Sequence, residues 1–402
     1  MKTLEIRSAV QAIEQEIISW RRHIHAHPEL GYEEVETAAF VAQLLRSFGL
    51  SVEEGVGGTG VVGVLRGEGE RDGEGLCVAL RADMDALPVT EETGLPFASR
   101  NLGKMHACGH DGHTAMLLGA ARVLSLHRRS FAGTVKFFFQ PAEECAPRGG
   151  ALGMIEEGVM VDPKVDYVFA LHLWPELPLG KVGIKTGALM SASDRVRLRI
   201  QGKGGHGAAP HQAIDAVVVA SHIVTALQAI AGRQVDPLEP FVLTIGSFHA
   251  GQRYNVIAPY AELDGTVRTQ NETLRSTIPR RITTLAQAVA AGFGAEAEVN
   301  YEYGYPTLYN QPHAVDVVSK AVVEVLGEHE LIELGRPSMG GEDFAYFLDH
   351  AKGAMFWLGC HGPLSPEAPI HNGKFDFDED ALAVGTGVLV QTTLKALCLE
   401  RA

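Results

Sequence analysis

Between residues 60 and 190 short apolar runs alternate with stretches of helical period. The runs are 61–65, 76–80, 134–139 and 167–171, while 114–126 and 152–157 read as helices. Apolar runs without polar alternation belong to strands covered on both faces, so this region predicts an α/β sheet. Near residue 191 the texture changes. Residues 194–201 alternate through Arg195, Val196, Arg197, Leu198, Arg199 and Ile200, the pattern of a strand with one wet face. A helix over 213–231, strands over 241–247 and 261–269, a helix over 274–291 and a strand over 297–303 follow, which together make an α+β unit. Beyond Pro306 the α/β texture returns, with a helix over 314–326, an apolar run over 354–358 and a closing helix over 379–399. The predicted organisation is a discontinuous α/β domain, 1–190 with 305–402, interrupted by an inserted α+β domain, 191–304.

Two further stretches bear on location. Residues 1–20 carry Glu5, Glu14 and Glu16 among apolar positions and read as an amphipathic helix, not an export signal. The longest charge-free stretch, 216–232, places Ser221, His222, Thr225 and Gln228 on one helical stripe, which predicts a surface-packed helix and no membrane span. Composition agrees. Of the 402 residues, 46% are hydrophobic and 21% charged, as expected of a soluble folded chain. The 34 basic and 49 acidic side chains leave a net charge of −15 with no long basic run, so nucleic acid is not an expected partner. Five scattered cysteines give no disulfide framework and point to a reducing compartment, the cytoplasm.

Chemistry enters with residues 105–113, Met-His-Ala-Cys-Gly-His-Asp-Gly-His, just before a helix that Asp111 is placed to cap. Alternate positions of an extended loop face one way, so Cys108 and His110 can reach one ion suited to thiolate and imidazole; the other reading is a glycine-rich turn with incidental histidines. Three of the apolar runs end at ionisable residues: Arg81, Asp83 and Asp85; Gln140 to Glu144; and His172. Ligand crevices of open α/β sheets lie at the carboxyl ends of strands, so these groups are expected to converge there. Glu143 and Glu144 are adjacent and face opposite ways on an extended backbone. One can ligate while the other acts as a base towards water. Residues 202–211 form a glycine-rich turn presenting His206, without the Lys-Ser/Thr ending of a phosphate loop.

Taken together, six ordered motifs strongly resemble the metal-dependent amidohydrolases related to aminoacylases. They are Arg-Arg-His-Ile-His-Ala-His-Pro-Glu-Leu (21–30), Arg-Ala-Asp-Met-Asp-Ala-Leu-Pro (81–88), the 105–113 nonapeptide, Gln-Pro-Ala-Glu-Glu (140–144), Gly-Gly-His-Gly-Ala-Ala-Pro-His (204–211) and Gly-Gly-Glu-Asp-Phe (340–344). The similarity spans about residues 10–395 and points to the branch of hippurate hydrolases, indoleacetyl-amino-acid hydrolases and bacterial N-acyl-amino-acid amidohydrolases. It implies a two-domain, mixed-sheet binuclear metallohydrolase with an inserted lid and dimerisation domain. It also implies two divalent metal ions per chain (zinc, manganese, cobalt or nickel), with Cys108 bridging and His110, Glu144, His172 and His371 completing the site. His371 rests on the resemblance alone. Glu143 corresponds to the general base and Asp83 to a supporting aspartate. More distant branches carry a ligand histidine where this chain has Arg81, which leaves the role of Arg81 open. His206 corresponds to a residue that reaches a neighbouring active site and holds the substrate carbonyl, and Asn255 and Arg268 to substrate-binding positions. The implied reaction is hydrolysis of a small N-acyl amino acid by a homo-oligomer, dimer or tetramer, joined through the lid. Alternatives are a carboxypeptidase or dipeptidase, a hydrolase with Cys108 as nucleophile, and a non-catalytic ligand-binding relative.

Overall fold

The four apolar runs before residue 190 are strands. In the computed structural model, which describes residues 3–70, 75–362, 365 and 368–400, they become Gly60–Arg66, Cys77–Asp83, Thr134–Gln140 and Tyr167–Pro178. Among the described residues they join an eight-stranded mixed sheet. Its order is Ser51–Val56, Gly60–Arg66, Thr134–Gln140, Cys77–Asp83, Tyr167–Pro178, Lys352–His361, Val182–Ile184, Leu331–Glu333. The strands from 134–140 across to 352–361 pair in parallel, while the pairs that flank them directly are antiparallel. Every position of Cys77–Asp83 is buried, which explains an apolar run with no alternation.

Helices Thr3–Ala26, His110–Leu126, Pro312–Val325 and Asp380–Leu397 pack together, with Ile17, Leu117, Val318 and Leu389 in the core. Each such side chain stabilises the fold by about 1.5–3 kcal/mol. Parallel strands bring their carboxyl ends to one edge, so Asp83 and the 141–144 turn emerge side by side (Asp83 pairs with Gln140).

By contact the chain divides into two units. The larger holds Met1–Leu189, Tyr309–Arg336 and Asp343–Ala402, and the smaller Met190–Leu308 and Pro337–Glu342. The smaller contains an antiparallel sheet ordered Phe241–Ala250, Tyr260–Thr269, Ala192–Gln201, Glu296–Tyr305. Val196, Leu198 and Ile200 share a core with helices Ala216–Ala229 and Glu272–Gly292, whereas Arg195, Arg197 and Arg199 project outward to Asp264, Glu302 and Glu262. Exposed pairs of that kind contribute at most ~1 kcal/mol each, so the apolar face sets the strand's orientation. The predicted 213–231 helix begins later, at Ala216, because the Asp215 carboxylate accepts the Val217 N–H and caps it there. Ala216–Gln234 has the length and hydropathy of a membrane span, yet Ser221, His222, Thr225 and Gln228 all lie on its exposed side.

Candidate active site

At the end of strand 77–83 a fully buried guanidinium organises three side chains. Arg81 Nη1 donates to Asp83 Oδ2 at 2.6 Å, Nε to Gln140 Oε1 at 2.8 Å, and Nη2 to Asp343 Oδ1 at 2.8 Å. The other oxygen of Asp83 meets His113 Nδ1 at 2.7 Å. Burial alone would raise Asp83, but His110, Arg81 and His113 drive it well below the carboxylate range. Arg81 therefore holds Asp83 and Gln140 in place, answering in structural terms the question its sequence position raised.

The 105–109 loop ends at Gly109, whose φ of 89° places it in the left-handed region, and the helix starts at His110. Asp111 does not cap it. This carboxylate lies inside the first turn, fully buried, and binds Arg21 Nε and His25 Nδ1, each at 2.8 Å, so it ties helix Thr3–Ala26 to helix His110–Leu126. His106 is buried, but no grouping of metal-ligating side chains among the described residues includes it.

His110 turns Nδ1 towards the Asp85 carbonyl at 2.9 Å, so that nitrogen carries hydrogen, while Nε2 is buried without a hydrogen-bond partner. Likewise His172 Nδ1 donates to the Leu173 carbonyl at 2.7 Å, and its Nε2 lies 3.5 Å from Cys108 Sγ. Fixing one ring nitrogen on a carbonyl frees the other as a ligand. His113 differs. Its Nδ1 is held by Asp83 and its Nε2 accepts the Leu173 N–H at 2.8 Å, so both nitrogens are spent and it acts as a strut.

After strand 134–140 the chain turns through Pro141 and Ala142 and presents Glu143, which is buried, and Glu144. Asp85 Oδ2 accepts the Glu144 N–H at 2.9 Å, so one aspartate steadies both His110 and Glu144. Glu144 Oε1 lies 2.9 Å from His371 Nε2. His371, half exposed, has a φ of 64° and donates its N–H to the Ala107 carbonyl at 2.7 Å, which docks its segment on the cysteine loop.

These donors suit divalent metal. Cys108, His110 and His172 form one cluster and Cys108, Glu144 and His371 another, with ligand atoms within 4.8 Å inside each, so a single thiol is common to two sets. Burial disfavours charge on His110, yet Asp83, Asp85 and Glu144 lift it to about 10, so the surrounding carboxylates favour positive charge at this point. Soft sulfur with imidazole and carboxylate is the ligand mix of zinc and its neighbours.

In the smaller unit the strand Gly205–His206 pairs with Val256–Ile257, and Gly207 N–H bonds the Asn255 carbonyl at 2.9 Å, so His206 and Asn255 share one small ribbon. His206 is exposed, and Asn255 Oδ1 is buried without a partner. Arg268 is half buried on strand 260–269, with Nε on Thr266 Oγ1 at 3.1 Å and no ion pair among the described residues. Sequence reasoning missed Arg21, His25 and Glu34, whose carboxylate accepts the Ala142 N–H, as parts of this architecture, and it placed Asp85 at the strand's end without giving it a partner. The only signal for Arg21 and His25 was membership of the 21–30 motif, and for Glu34 proximity to it.

Residues 79–395 match the profile of peptidase family M20/M25/M40. The chain is 48% identical to an N-acyl-L-amino acid amidohydrolase of Geobacillus stearothermophilus over 76% of its own length and 81% of the relative's. It is 42% identical to thermostable carboxypeptidase 1 of Saccharolobus solfataricus, over 95% of each chain. A solved dinuclear metal-binding peptidase of the M20 family from Bacillus subtilis superposes with a TM-score of 0.83 at 34% identity, covering 96% of this chain and 99% of that one.

Proposed function

Since this chain belongs to peptidase family M20/M25/M40, we propose that it is a metal-dependent amidohydrolase that cleaves N-acyl amino acids into a carboxylic acid and a free amino acid. The observation that carries this reading is the pair of donor clusters sharing Cys108, with a buried carboxylate, Glu143, beside them. Cys108, His110, Glu144, His172 and His371 would hold two divalent ions, of zinc, manganese, cobalt or nickel. Such ions supply Lewis acidity, lowering the pKa of a water and polarising the amide carbonyl. Glu143 takes a proton from the attacking water and returns it to the departing amine, which leaves as the free amino acid. Asp85 keeps the ligand imidazole of His110 oriented, and Asp83 holds the His113 strut in place. His206 donates to the amide oxygen as it gains charge, Arg268 pairs with the substrate carboxylate, and Asn255 orders the same end.

A cysteine nucleophile fits less well. Burial and the neighbouring Glu144 and Glu143 raise the Cys108 thiol well above its ordinary value, the opposite of what an attacking thiolate requires. A carboxypeptidase reading draws on the Saccharolobus solfataricus relative and would use the same residues of this chain. None of the five cysteines forms a disulfide, in keeping with action in a reducing compartment such as the cytoplasm, and we place the chain in a homo-oligomer joined through the smaller unit. The test is a panel of N-acetyl, N-benzoyl and N-indoleacetyl amino acids, with dipeptides, assayed after chelation and reloading with each metal. Metal-restored turnover of the acylated amino acids is expected. Activity that survives chelation refutes metal dependence, and turnover confined to dipeptides favours the peptidase.

A further inference from the structure

The end of the 21–30 motif takes no part in ligation, yet the loop that continues it lies against the turn that carries Glu143. At Gly31 a Cβ would sit 2.4 Å from Cys145 Sγ and 3.0 Å from Ala142 Cα, so only glycine lets the two backbones touch. Tyr32, with a φ of 66°, donates its hydroxyl to the Gly149 carbonyl at 2.7 Å. Glu34 is fully buried. Its Oε1 accepts the Ala142 N–H at 2.7 Å and its Oε2 bonds the Thr59 hydroxyl. Ala142 itself has a φ of 55° and immediately precedes Glu143. A non-glycine residue keeps that left-handed conformation only where its surroundings impose it, and such residues gather at functional sites.

We infer that Glu34 is a positioning residue for catalysis: by accepting the Ala142 amide it imposes the left-handed turn that aims Glu143 into the site. The inference rests on the reading of Glu143 as general base. What matters is the acceptor, not the charge. Burial lifts the Glu34 carboxyl to about 7, and in either protonation state Oε1 keeps a lone pair for Ala142 while Oε2 exchanges a hydrogen bond with Thr59. Misplacing a catalytic group by about an ångström costs on the order of 10²-fold in rate.

The full-length, metal-loaded enzyme provides the test. Glu34→Met keeps the volume but offers no acceptor, and kcat should fall at least ~10-fold with KM and metal content held. Glu34→Gln, whose amide oxygen accepts the same N–H, should regain most of that loss. Parent-level kcat in Glu34→Met, or a Glu34→Gln variant as slow as Glu34→Met, overturns the inference. If Glu34→Met does not fold, Tyr32→Phe, at a 46% exposed site on the same brace, carries the test: a kcat reduced about threefold supports it and an unchanged kcat overturns it. Glu143→Gln measured alongside separates the two ideas, because full activity in Glu143→Gln sinks the base assignment itself, whereas an inactive Glu143→Gln with a normal Glu34→Met sinks only the brace.

Discussion

Glu143 and Glu144 adjoin in the chain but sit in different surroundings, and substitution should separate their tasks. Glu143→Gln keeps size and hydrogen bonding yet cannot take a proton, so kcat should drop by at least ~10² with metal content retained. Glu144→Gln weakens the contact with His371 and the second donor set, so metal analysis should find reduced occupancy as well. Equal metal content and near-normal turnover in both would dissolve the distinction. Glu34 offers a pH test. Its folded value of about 7 exceeds the ordinary 4.5, chiefly through burial and with a contribution from Asp85. The folded state therefore binds the proton more tightly, and the stability this group contributes is complete below pH 4.5 and lost as pH rises through 7, up to about 3 kcal/mol. Glu34→Gln has nothing to lose across that window. Its Tm should exceed the parent's at pH 8 by more than at pH 4.5, and parallel Tm curves would contradict the assignment. Cys108, His110, Glu144 and His172 were legible because each lies on or next to the end of an apolar run or beside a glycine turn. His110 and His113 look alike in sequence; only the partners of their nitrogens, one ring with a bare nitrogen and one fully occupied, tell the proposed ligand from the strut. His371 had no periodic signal at all, being in irregular chain with a positive φ.

At the scale of elements, helix Thr3–Ala26 is fastened to helix His110–Leu126 through Arg21 and Asp111. Both are buried, and Arg21 also reaches Asp376 Oδ1 at 2.8 Å ahead of the closing helix. Removing one partner of a buried pair leaves an uncompensated charge and costs ~3–5 kcal/mol. Arg21→Met should lower stability to urea by that amount, and adding Asp111→Asn should return part of it, because the buried carboxylate left with only His25 is then neutral. A single variant as stable as the parent would show that the pair is dispensable. The same contact explains a misreading: an aspartate at the head of a helix resembles a cap until an arginine 90 residues away claims it. Long elements were readable because apolar positions recur over several turns or a whole buried strand. Val182–Ile184 and Leu331–Glu333 have three residues each, too few to display a period, and their places come from pairing with each other and, for Val182–Ile184, with 352–361. Val35–Ser47 went unread despite its buried Val41 and Leu45, since its residues carry no motif chemistry and Glu34, at its N-terminus, makes no side-chain cap.

At the scale of the molecule, the shift from continuous apolar runs to the Arg-Val-Arg-Leu alternation after residue 191 announced a second sheet, because a strand wet on one face cannot lie inside a doubly covered one. Pro337–Glu342, which groups with the smaller unit, is aperiodic, and although it opens the 340–344 motif nothing in its pattern announced that grouping. The proposed ligands and base all belong to the larger unit, while His206 is exposed in the smaller. A catalytic part for His206 therefore requires the 202–211 turn to come over an active site, by closure of its own chain or from a partner chain. His206→Ala should keep its metal yet lose about 3 kcal/mol of oxyanion stabilisation, 10² to 10³ in rate, on the scale of one lost donor. Mixing this variant with Glu143→Gln under conditions that exchange subunits distinguishes the routes. If His206 serves a neighbour, a mixed dimer contains one site with both residues intact and another with neither, so activity should reappear towards half of the parent's per mixed dimer. If it serves its own chain, each site lacks one residue whatever its partner, and verified exchange between differently tagged chains should restore nothing. Full activity of His206→Ala alone would remove the histidine from the mechanism and leave the cations to meet the oxyanion unaided.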